Sequence, residues 1–401
     1  MPRPDLLERL AVQTAERERA KLRRRLRTID HADGPWLESG SQRLLAFCSN
    51  DYLGLAQHPQ LVGALTRAAR EEGIGSTSAH LICGHHAAHA ELEEALAAWT
   101  GRERALLFST GYMANLGVLQ ALLARGDVCV QDKLNHACLL DGARLGGAEL
   151  KRYPHADVDT AARQLAANPG AAALLATDGV FSMDGDVAPL RALAQLCARE
   201  RATLMVDDAH GLGVFGAHGA GSLSAANLSQ HEVPLLMATL GKALGCSGAF
   251  VAGPAALIEG LVQFARPYIY TTAMPPALAA AALEAVRLAQ SETWRRDKLT
   301  ALIGRFRRGA AELGLSLAAS VSAIQPLLLG GADAALAAAQ ALERQGLLVT
   351  AIRPPTVPAG QARLRITLSA AHEEAHIDRL LGALETLHLP PARQALPGDH
   401  V

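Results

Sequence analysis

Short apolar runs alternate with longer Ala- and Leu-rich stretches from about residue 100 onward, and this alternation restricts the possible folds more than any other feature of the sequence. The runs lie at 105–108, 127–131, 171–177, 203–207, 235–239 and 249–252. Runs of this length are typical of strands buried on both faces, and the stretches between them are typical of helices. The alternation therefore predicts an α/β domain with a mostly parallel sheet covered by helices on both sides.

The alternation ends near Met274-Pro-Pro276, which places a domain boundary in this part of the chain. A helical stretch continues to about residue 314 and leads into a region with weaker strand signals. Near the start, residues 8–27 are rich in charges, Ala and Leu and lack Gly and Pro, which predicts a helix. We therefore predict an N-terminal helical segment at 1–52, a large α/β domain at 53–285, a small α+β domain at 286–388 and a disordered tail at 389–401.

Charge and cysteine content narrow the possible partners. The 38 Lys and Arg residues nearly balance the 39 Asp and Glu residues, so we expect no affinity for nucleic acid or for a membrane surface. The six cysteines are scattered without a Cys-x-x-Cys pair, which favours free, reduced thiols. The start of the chain has no apolar signal-peptide core, and no uncharged apolar run reaches the length of a spanning helix. These features predict a cytoplasmic protein that acts on small molecules.

Polar residues follow the predicted strand 203–207, at the edge where an open parallel sheet binds ligands. Asp207 ends this strand, and His210 follows in the next loop. A partly dehydrated carboxylate at such a place can keep a pyridine nitrogen protonated, which is what makes pyridoxal 5′-phosphate (PLP) an electron sink. The pair therefore indicates a PLP site.

Lys242 comes shortly after the predicted strand 235–239, between small residues in Thr239-Leu-Gly-Lys242. Taken alone, it could equally be a lysine in a surface turn. Together with Asp207 and His210, it predicts an amine that forms a Schiff base with the cofactor aldehyde and later takes the α-proton of the substrate.

The run Phe108-Ser-Thr-Gly-Tyr-Met-Ala-Asn115 predicts a strand that passes through a turn into a helix. The free N–H groups and the dipole at such a helix N-terminus favour a phosphate. Ser-Thr-Gly is also an ordinary N-cap sequence, so an N-cap without a ligand stays an alternative for this run.

Five motifs, in this order along the chain, resemble the α-oxoamine synthases, a family of fold-type I PLP enzymes. They are Asn50-Asp-Tyr-Leu-Gly-Leu55, Gly179-Val-Phe-Ser-Met-Asp-Gly185, Val206-Asp-Asp-Ala-His-Gly211, Thr239-Leu-Gly-Lys242 and Ala362-Arg-Leu-Arg-Ile-Thr367. The resemblance covers nearly the whole chain. It implies a large, mostly parallel seven-stranded sheet domain, a smaller α+β C-terminal domain, and a homodimer with its sites at the subunit boundary.

The resemblance also implies cofactor contacts. His136 would stack on the cofactor ring, Asp207 would pair with the pyridine nitrogen, and His210 would hydrogen-bond the phenolic oxygen. The residues that would hold the cofactor, mainly at its phosphate, are Gly111, Tyr112, Ser182 and Thr239. Thr271 or Thr272 would reach the site of the neighbouring subunit.

Substrate contacts follow from the same resemblance. Arg365, with Asn50, would hold the amino-acid carboxylate, because a guanidinium fork matches two oxygens. Arg23 and Thr356 would contact the acyl chain, and His136 would assist the acyl step.

The run Ala351–Gly360 and the spacing around Arg23 are most similar to the branch of the family that works in biotin biosynthesis. That branch condenses L-alanine with a pimeloyl thioester, carried on coenzyme A or on acyl carrier protein, and releases carbon dioxide. Asp178, where this branch often has Glu, and the run 239–245 are instead similar to the glycine C-acetyltransferase branch. Glycine C-acetyltransferase and 5-aminolevulinate synthase therefore stay open as alternatives.

Two other classes of protein are less favoured. A PLP-binding protein without catalysis would not need Lys242, Asp207, His210, His136 and Arg365 together. A dinucleotide-binding oxidoreductase shares the α/β alternation, but its Gly-x-Gly-x-x-Gly sequence is missing from the first strand-to-helix turn.

The histidines at 80, 85, 86 and 89 raise the possibility of a metal site, since His85 and His89 are one helical turn apart. No thiol or carboxylate pattern accompanies them. We therefore predict that the protein uses no metal.

Overall fold

The computed structural model describes residues 3–20, 22–387 and 389, so the predicted tail at 389–401 lies outside the described residues except for Leu389. The helices are Leu6–Arg19 (α1), Pro59–Glu72 (α2), Ala87–Thr100 (α3), Gly111–Leu122 (α4), Ala137–Gly146 (α5), Val158–Ala166 (α6), Leu190–Glu200 (α7), Ser222–Ala225 (α8), Ala255–Phe264 (α9), Arg266–Ile269 (α10), Pro276–Ser291 (α11), Trp294–Glu312 (α12), Ala332–Arg344 (α13) and Glu374–Glu385 (α14).

The strands are His31–Asp33 (β1), Trp36–Ser39 (β2), Gln42–Ala46 (β3), Arg104–Phe108 (β4), Val128–Asp132 (β5), Glu149–Tyr153 (β6), Ala173–Asp178 (β7), Thr203–Asp207 (β8), Leu235–Thr239 (β9), Ala249–Gly253 (β10), Ile324–Gly330 (β11), Leu347–Leu348 (β12), Thr350–Ile352 (β13) and Ala362–Thr367 (β14).

A seven-stranded sheet forms the centre of the molecule, with the strand order β4-β10-β9-β8-β7-β5-β6. Strand β10 is antiparallel to both of its neighbours, and the pairs among β5 to β9 are parallel. Clusters of buried apolar side chains cover both faces of the sheet, which explains why its strands are continuous apolar runs. The predicted fold class is confirmed.

All six predicted strands occur, but β6 was not predicted. Its sequence, Glu149-Leu-Lys-Arg-Tyr153, has charged side chains at most positions because β6 is an edge strand in which only Tyr153 is buried. An edge strand of this kind lacks the apolar run that marks its neighbours.

The carboxyl ends of β5, β7, β8 and β9 lie at the same edge of the sheet because these strands are parallel. The turns that follow them therefore meet in space. Asp207 lies at this edge because it is the last residue of β8. The residues that follow the other strands lie at the same edge, in the turns.

Residues from both ends of the chain form two smaller sheets. Strands β11, β14 and β13 form one, and β1, β2, β3 and β12 form the other, in which β12 pairs in parallel with β3. The N-terminal segment is thus joined to the C-terminal part by backbone pairing. The predicted bound at 285 falls within α11, and the division into domains stays a prediction.

The prediction of a helical segment at 1–52 is wrong for residues 31–46, which form β1 to β3. Gly34 and Gly40 take positive φ angles of 54° and 59° in the turns between these strands, and such turns favour glycine. The helix predicted at 8–27 also ends early, at Arg19. Helix α1 buries none of its side chains, so packing does not extend it.

None of the helices among the described residues is both long enough and apolar enough to cross a lipid bilayer.

Candidate active site

A pocket of about 140 Å³ opens at the carboxyl edge of the large sheet. The turns after β4, β5, β7, β8 and β9 supply its walls. It brings together eight of the predicted site residues: Gly111, Tyr112, His136, Ser182, Asp207, His210, Thr239 and Lys242. Cys138, Asp178, Ala209 and Met237 complete the lining.

The Asp207 carboxylate is buried and held through both oxygens. Asn115 Nδ2 donates to Oδ2 at 2.7 Å, and the backbone N–H of Ala209 donates to Oδ1 at 3.1 Å. These bonds fix the orientation of the carboxylate relative to the pocket. Asn115 was not predicted as a site residue, although it lies one helical turn after Gly111 on α4, and that spacing was the available signal.

Lys242 is half-buried in the pocket wall, and burial lowers the pKa of its amine, although the nearby carboxylates of Asp207 and Asp178 act in the opposite direction. A lower pKa gives a larger fraction of neutral amine near pH 7. A neutral amine is the form that attacks a carbonyl carbon or accepts a proton.

The N-terminus of α4 and the end of β9 approach closely at one end of the pocket. A Cβ atom on Gly111 would lie 2.8 Å from Thr239 Cγ2, so only glycine fits here without movement. The Thr239 hydroxyl is buried and has no hydrogen-bond partner among the described residues. Thr110 caps the helix by accepting from the N–H of Met113 at 3.2 Å, which leaves the first N–H groups of α4 for a ligand. An unpaired hydroxyl beside a helix N-terminus fits the phosphate of PLP.

His136 begins α5 and is tied to its surroundings on two sides. Its backbone N–H donates to Asp178 Oδ1 at 3.2 Å, and its Nδ1 lies 2.7 Å from Cys138 Sγ. Burial lowers the pKa of the His136 ring, so the ring is neutral near pH 7. Burial also raises the pKa of the Cys138 thiol, which therefore keeps its proton and can donate it to Nδ1. Sequence analysis did not find Cys138, which also accepts from Asn115 Nδ2 of α4 at 2.9 Å.

Tyr52 lies between His210 and Asn50, which accepts from Arg365 of the small three-stranded sheet. Tyr52 Oη lies 2.6 Å from His210 Nδ1 and 3.2 Å from Asn50 Oδ1, and its single proton can serve only one of these two contacts. Burial lowers the pKa of His210 well below its usual value, so the ring is neutral. We assign the hydroxyl proton to the shorter contact, which leaves the ring proton of His210 on Nε2.

Arg365 reaches the pocket from β14. Its Nε donates to the carbonyl oxygen of Ser182 at 2.7 Å, and its Nη2 donates to Asn50 Oδ1 at 3.3 Å. The guanidinium is buried, and it is fixed beside a residue that lines the pocket. The predicted pair of Arg365 and Asn50 is therefore in contact.

Four predicted site residues lie away from this pocket in the single chain. Arg23 pairs with Glu18 at 3.0 Å on the exposed N-terminal segment, and Thr356 is exposed in the loop between β13 and β14. Thr272 forms an isolated β-bridge with Ala79, and Thr271 precedes it. Their predicted contacts require another molecule and stay predictions.

The side chains of His80, His85 and His89 lie together near a π-helical turn at His80–Gly84, with ligand atoms within 4.8 Å of one another. His89 uses both ring nitrogens, since Nδ1 accepts from the N–H of His86 at 2.9 Å and Nε2 donates to the carbonyl oxygen of Met274 at 2.8 Å. His80 and His85 share a contact of 2.9 Å between their Nδ1 atoms. The prediction that the protein uses no metal is kept, because the bonds of His89 leave two imidazoles for an ion.

Known proteins match this chain over nearly its whole length. The aminotransferase class I and II family matches residues 42–384. The 8-amino-7-oxononanoate synthase of Stenotrophomonas maltophilia is 58% identical over 385 residues, which cover 96% of this chain and 94% of that protein. The protein of the same name from Xylella fastidiosa is 54% identical over 399 residues, 99% of each chain.

A solved structure of serine palmitoyltransferase from S. paucimobilis, with a bound PLP–myriocin aldimine, superposes on this chain with a TM-score of 0.91. The two are 29% identical, and the superposition covers 96% of this chain and 98% of that one. The fold, the residues of the pocket and the sequence identities all indicate the same family. The chain belongs to the aminotransferase class I and II family and, within it, to the 8-amino-7-oxononanoate synthases.

Proposed function

We propose that this protein condenses L-alanine with a pimeloyl thioester to give 8-amino-7-oxononanoate, carbon dioxide and the free thiol carrier, a step of biotin biosynthesis. The observation that carries the proposal is the single pocket that joins Lys242, Asp207, His210 and His136. The identity of 58% with a named synthase supports the choice of reaction within the family.

PLP is the cofactor, and when bound it supplies a ring that accepts the electron pairs released at the substrate Cα. In this chain, Lys242 would hold its aldehyde carbon and Asp207 would face its pyridine nitrogen. The Nε2–H group of His210 would donate to its phenolic oxygen. The phosphate would lie at the N-terminus of α4, near Gly111, Tyr112, Thr239 and Ser182.

Lys242 is the residue that moves protons at the substrate Cα. Once alanine is bound, the free Lys242 amine would remove its Cα proton, and the Cα would then form a bond to the thioester carbonyl carbon as the thiol leaves. The alanine carboxylate would depart as carbon dioxide, and Lys242 would return a proton to the Cα. Burial keeps the pKa of this amine low, which suits both proton transfers.

His136 would lie over the cofactor ring and act on the acyl donor. Its Nδ1 faces the Cys138 thiol, so the proton of the neutral ring is on Nε2. From there, Nε2–H can donate to the thioester carbonyl oxygen as negative charge develops on it. The contact with Cys138 keeps the ring in this tautomer.

Arg365 and Asn50 would hold the carboxylate of alanine. The guanidinium already donates to Ser182 and Asn50, which orients it before substrate binds. Arg23 and Thr356 would contact the pimeloyl chain, whose carrier is coenzyme A or acyl carrier protein.

We also propose a cytoplasmic homodimer in which Thr271 or Thr272 reaches the site of the partner subunit. Large apolar side chains near these threonines are exposed in the single chain, with relative exposures of 79% for Ile82 and 72% for Tyr270. The β-bridge between Thr272 and Ala79 brings these two segments together. A second copy of the chain would cover this apolar surface.

A substrate panel tests the proposed reaction. The protein with PLP is given L-alanine or glycine, each with pimeloyl-CoA or acetyl-CoA, and thiol release and product mass are measured. We expect the highest kcat/KM with L-alanine and pimeloyl-CoA, and 8-amino-7-oxononanoate as the product. Preference for glycine with acetyl-CoA would instead assign the protein to the glycine C-acetyltransferases, an alternative that Asp178 favours.

A further inference from the structure

His155 lies between two carboxylates beside the active-site pocket, although it does not line the pocket. Its Nδ1 is 3.2 Å from both carboxylate oxygens of Asp132, and its Nε2 is 2.7 Å from Asp186 Oδ2. Both ring nitrogens therefore face acceptors, and a ring that donates from both nitrogens is an imidazolium.

Asp132, at the end of β5, organises the turn that leads to His136. Its Oδ1 accepts from the N–H of Leu134 at 2.8 Å, and its Oδ2 accepts from the N–H of Ala156 at 2.8 Å. Asn135, next along this turn, donates to the carbonyl oxygen of Ala176 at 2.7 Å and accepts from the N–H of Asp178 at 3.1 Å. The turn is thus fixed at its start by Asp132 and joined to β7 just before His136.

Asp186 belongs to the loop between β7 and α7 that carries Ser182. The carbonyl oxygen of Asp186 accepts from the N–H of Phe181 at 3.0 Å, which closes the loop around Ser182. The Phe181 ring lies edge-on to the His155 ring, with 4.4 Å between the centroids. His155 therefore contacts this loop through one hydrogen bond and one ring contact.

The charge of His155 matches its two partners. Burial alone would lower the pKa of the ring, but the hydrogen bonds and charges of Asp132 and Asp186 outweigh it and raise the pKa to about 10. Two further acidic groups, the buried Tyr153 hydroxyl and the buried Asp178 carboxyl, lie near Asp132. His155 is the cation among these groups.

We propose that His155 is a positioning residue that holds the β5–α5 turn and the β7–α7 loop at a fixed separation, and so sets the distance between His136 and Ser182. Arg365 depends on the same arrangement, because its Nε donates to the carbonyl oxygen of Ser182. The roles of His136, Ser182 and Arg365 rest on the proposed function, whereas the link between the two loops does not.

The first test is a single substitution, His155→Gln, which removes the positive charge and leaves Asp132 and Asp186 facing each other. We expect kcat/KM for alanine and pimeloyl-CoA to fall by about tenfold to a hundredfold, as a misplacement of about 1 Å can cause. Hydrogen exchange of the cofactor-free protein should become faster in peptides covering 132–138 and 180–187, and this readout does not depend on activity. Unchanged exchange in both peptides would overturn the proposal.

Two further variants complete the test. The double variant H155Q/D186N removes one of the opposed charges and lets the two amides bond, so it should recover most of the lost protection and kcat/KM. Lys298→Gln breaks the ion pair with Glu373, 2.7 Å long between α12 and α14, and should leave both readouts unchanged. If H155Q and K298Q behave alike, or if D186N restores nothing, His155 does not position these loops. Faster exchange in H155Q, in a protein that fails the substrate panel, would support the loop link and reject the proposed reaction.

Discussion

At the scale of single residues, the pocket depends on buried groups that hold the reacting groups in place. The Asn115 amide donates to both Asp207 and Cys138, at 2.7 and 2.9 Å, and so connects the Asp207 carboxylate with the thiol beside His136. Its own Oδ1 has no partner among the described residues. Asn115 therefore contributes to the site through the two hydrogen bonds that its amide N–H groups donate.

Replacing Asn115 with Ala removes the donor to Asp207 Oδ2. A hydrogen bond to a charged group contributes about 1.5–3 kcal/mol, so we expect kcat/KM to fall by about tenfold to a hundredfold. Asn168→Ala is the control, because among the described residues its amide donates only to the carbonyl oxygen of Gln164, near the end of α6. Steady-state kinetics of both variants would show a loss for N115A alone, and equal kinetics for N115A and the wild type would refute the role of Asn115.

Thr239 offers a second test, in which cofactor binding and stability change in opposite directions. Valine has the same shape as threonine and removes the buried, unpaired hydroxyl. We expect T239V to bind PLP about tenfold more weakly, because one hydrogen bond to the phosphate is lost. The cofactor-free protein should unfold at an equal or higher temperature, because burying an unpaired hydroxyl costs free energy. An absorbance titration and thermal unfolding measure the two effects, and unchanged PLP affinity would count against a phosphate at Thr239.

The sequence predicted the reacting groups better than it predicted the groups that support them. Lys242, Asp207 and His210 follow strands, and strand ends can be read from apolar runs. Asn115 matters because the fold brings α4 next to Asp207 and Cys138, which lie 92 and 23 residues away along the chain, so its partners could not be read from a local pattern. Cys138 is only two residues from His136, and no motif of the sequence marked that local contact.

At the scale of elements, the strands that are buried and apolar were predicted, and the partly exposed strands were not. The strands β7, β8 and β9 are buried on both faces, so their sequences are apolar except for Thr and Asp residues at or near their ends. The edge strand β6 and the hairpins β1 to β3 are partly exposed and mix polar with apolar residues. Their positions depend on pairing with distant segments, as β3 pairs with β12, and local patterns contain little of that information.

The approach of α4 to β9 makes a prediction at this scale. In Gly111→Ala the new Cβ would lie 2.8 Å from Thr239 Cγ2, so the helix N-terminus must move away from the strand. We expect weaker PLP binding by at least about tenfold, because the helix N–H groups move with it. The matched control is Gly260→Ala in α9, where nothing lies within 4 Å of the new Cβ. That change should stabilise the protein by about 0.5–1 kcal/mol and leave PLP binding unchanged. Equal PLP affinity in G111A and wild type would contradict the described packing.

At the scale of the whole molecule, the single chain leaves part of the proposed site incomplete. Thr271, Thr272, Arg23 and Thr356 lie outside the pocket, while eight other predicted site residues line it together. An enzyme with its sites at a subunit boundary would show this contrast between residues inside and outside the pocket. The sequence resemblance implied these contacts, and a single chain does not form them.

The proposed dimer leads to a prediction about Ile82, which is 79% exposed in the single chain. A charge at an apolar interface is costly, so Ile82→Asp should shift the molecule from dimer to monomer and reduce kcat/KM. Val321→Asp is the control, because Val321 is similarly exposed, at 66%, but belongs to the segment that precedes β11. Sedimentation velocity would show a dimer for wild type and V321D and a smaller species for I82D. A monomeric wild type with full activity would contradict the proposed assembly.

The position of the cofactor on Lys242 is the central claim, and chemical reduction tests it most directly. Borohydride reduces the link between PLP and its lysine to a stable secondary amine, and mass spectrometry of the peptides then identifies the labelled residue. We expect a single pyridoxyl label on Lys242 and none on Lys21, Lys133, Lys151 or Lys298. A label on one of those lysines, or no label on a protein that still releases thiol from pimeloyl-CoA with L-alanine, would contradict it.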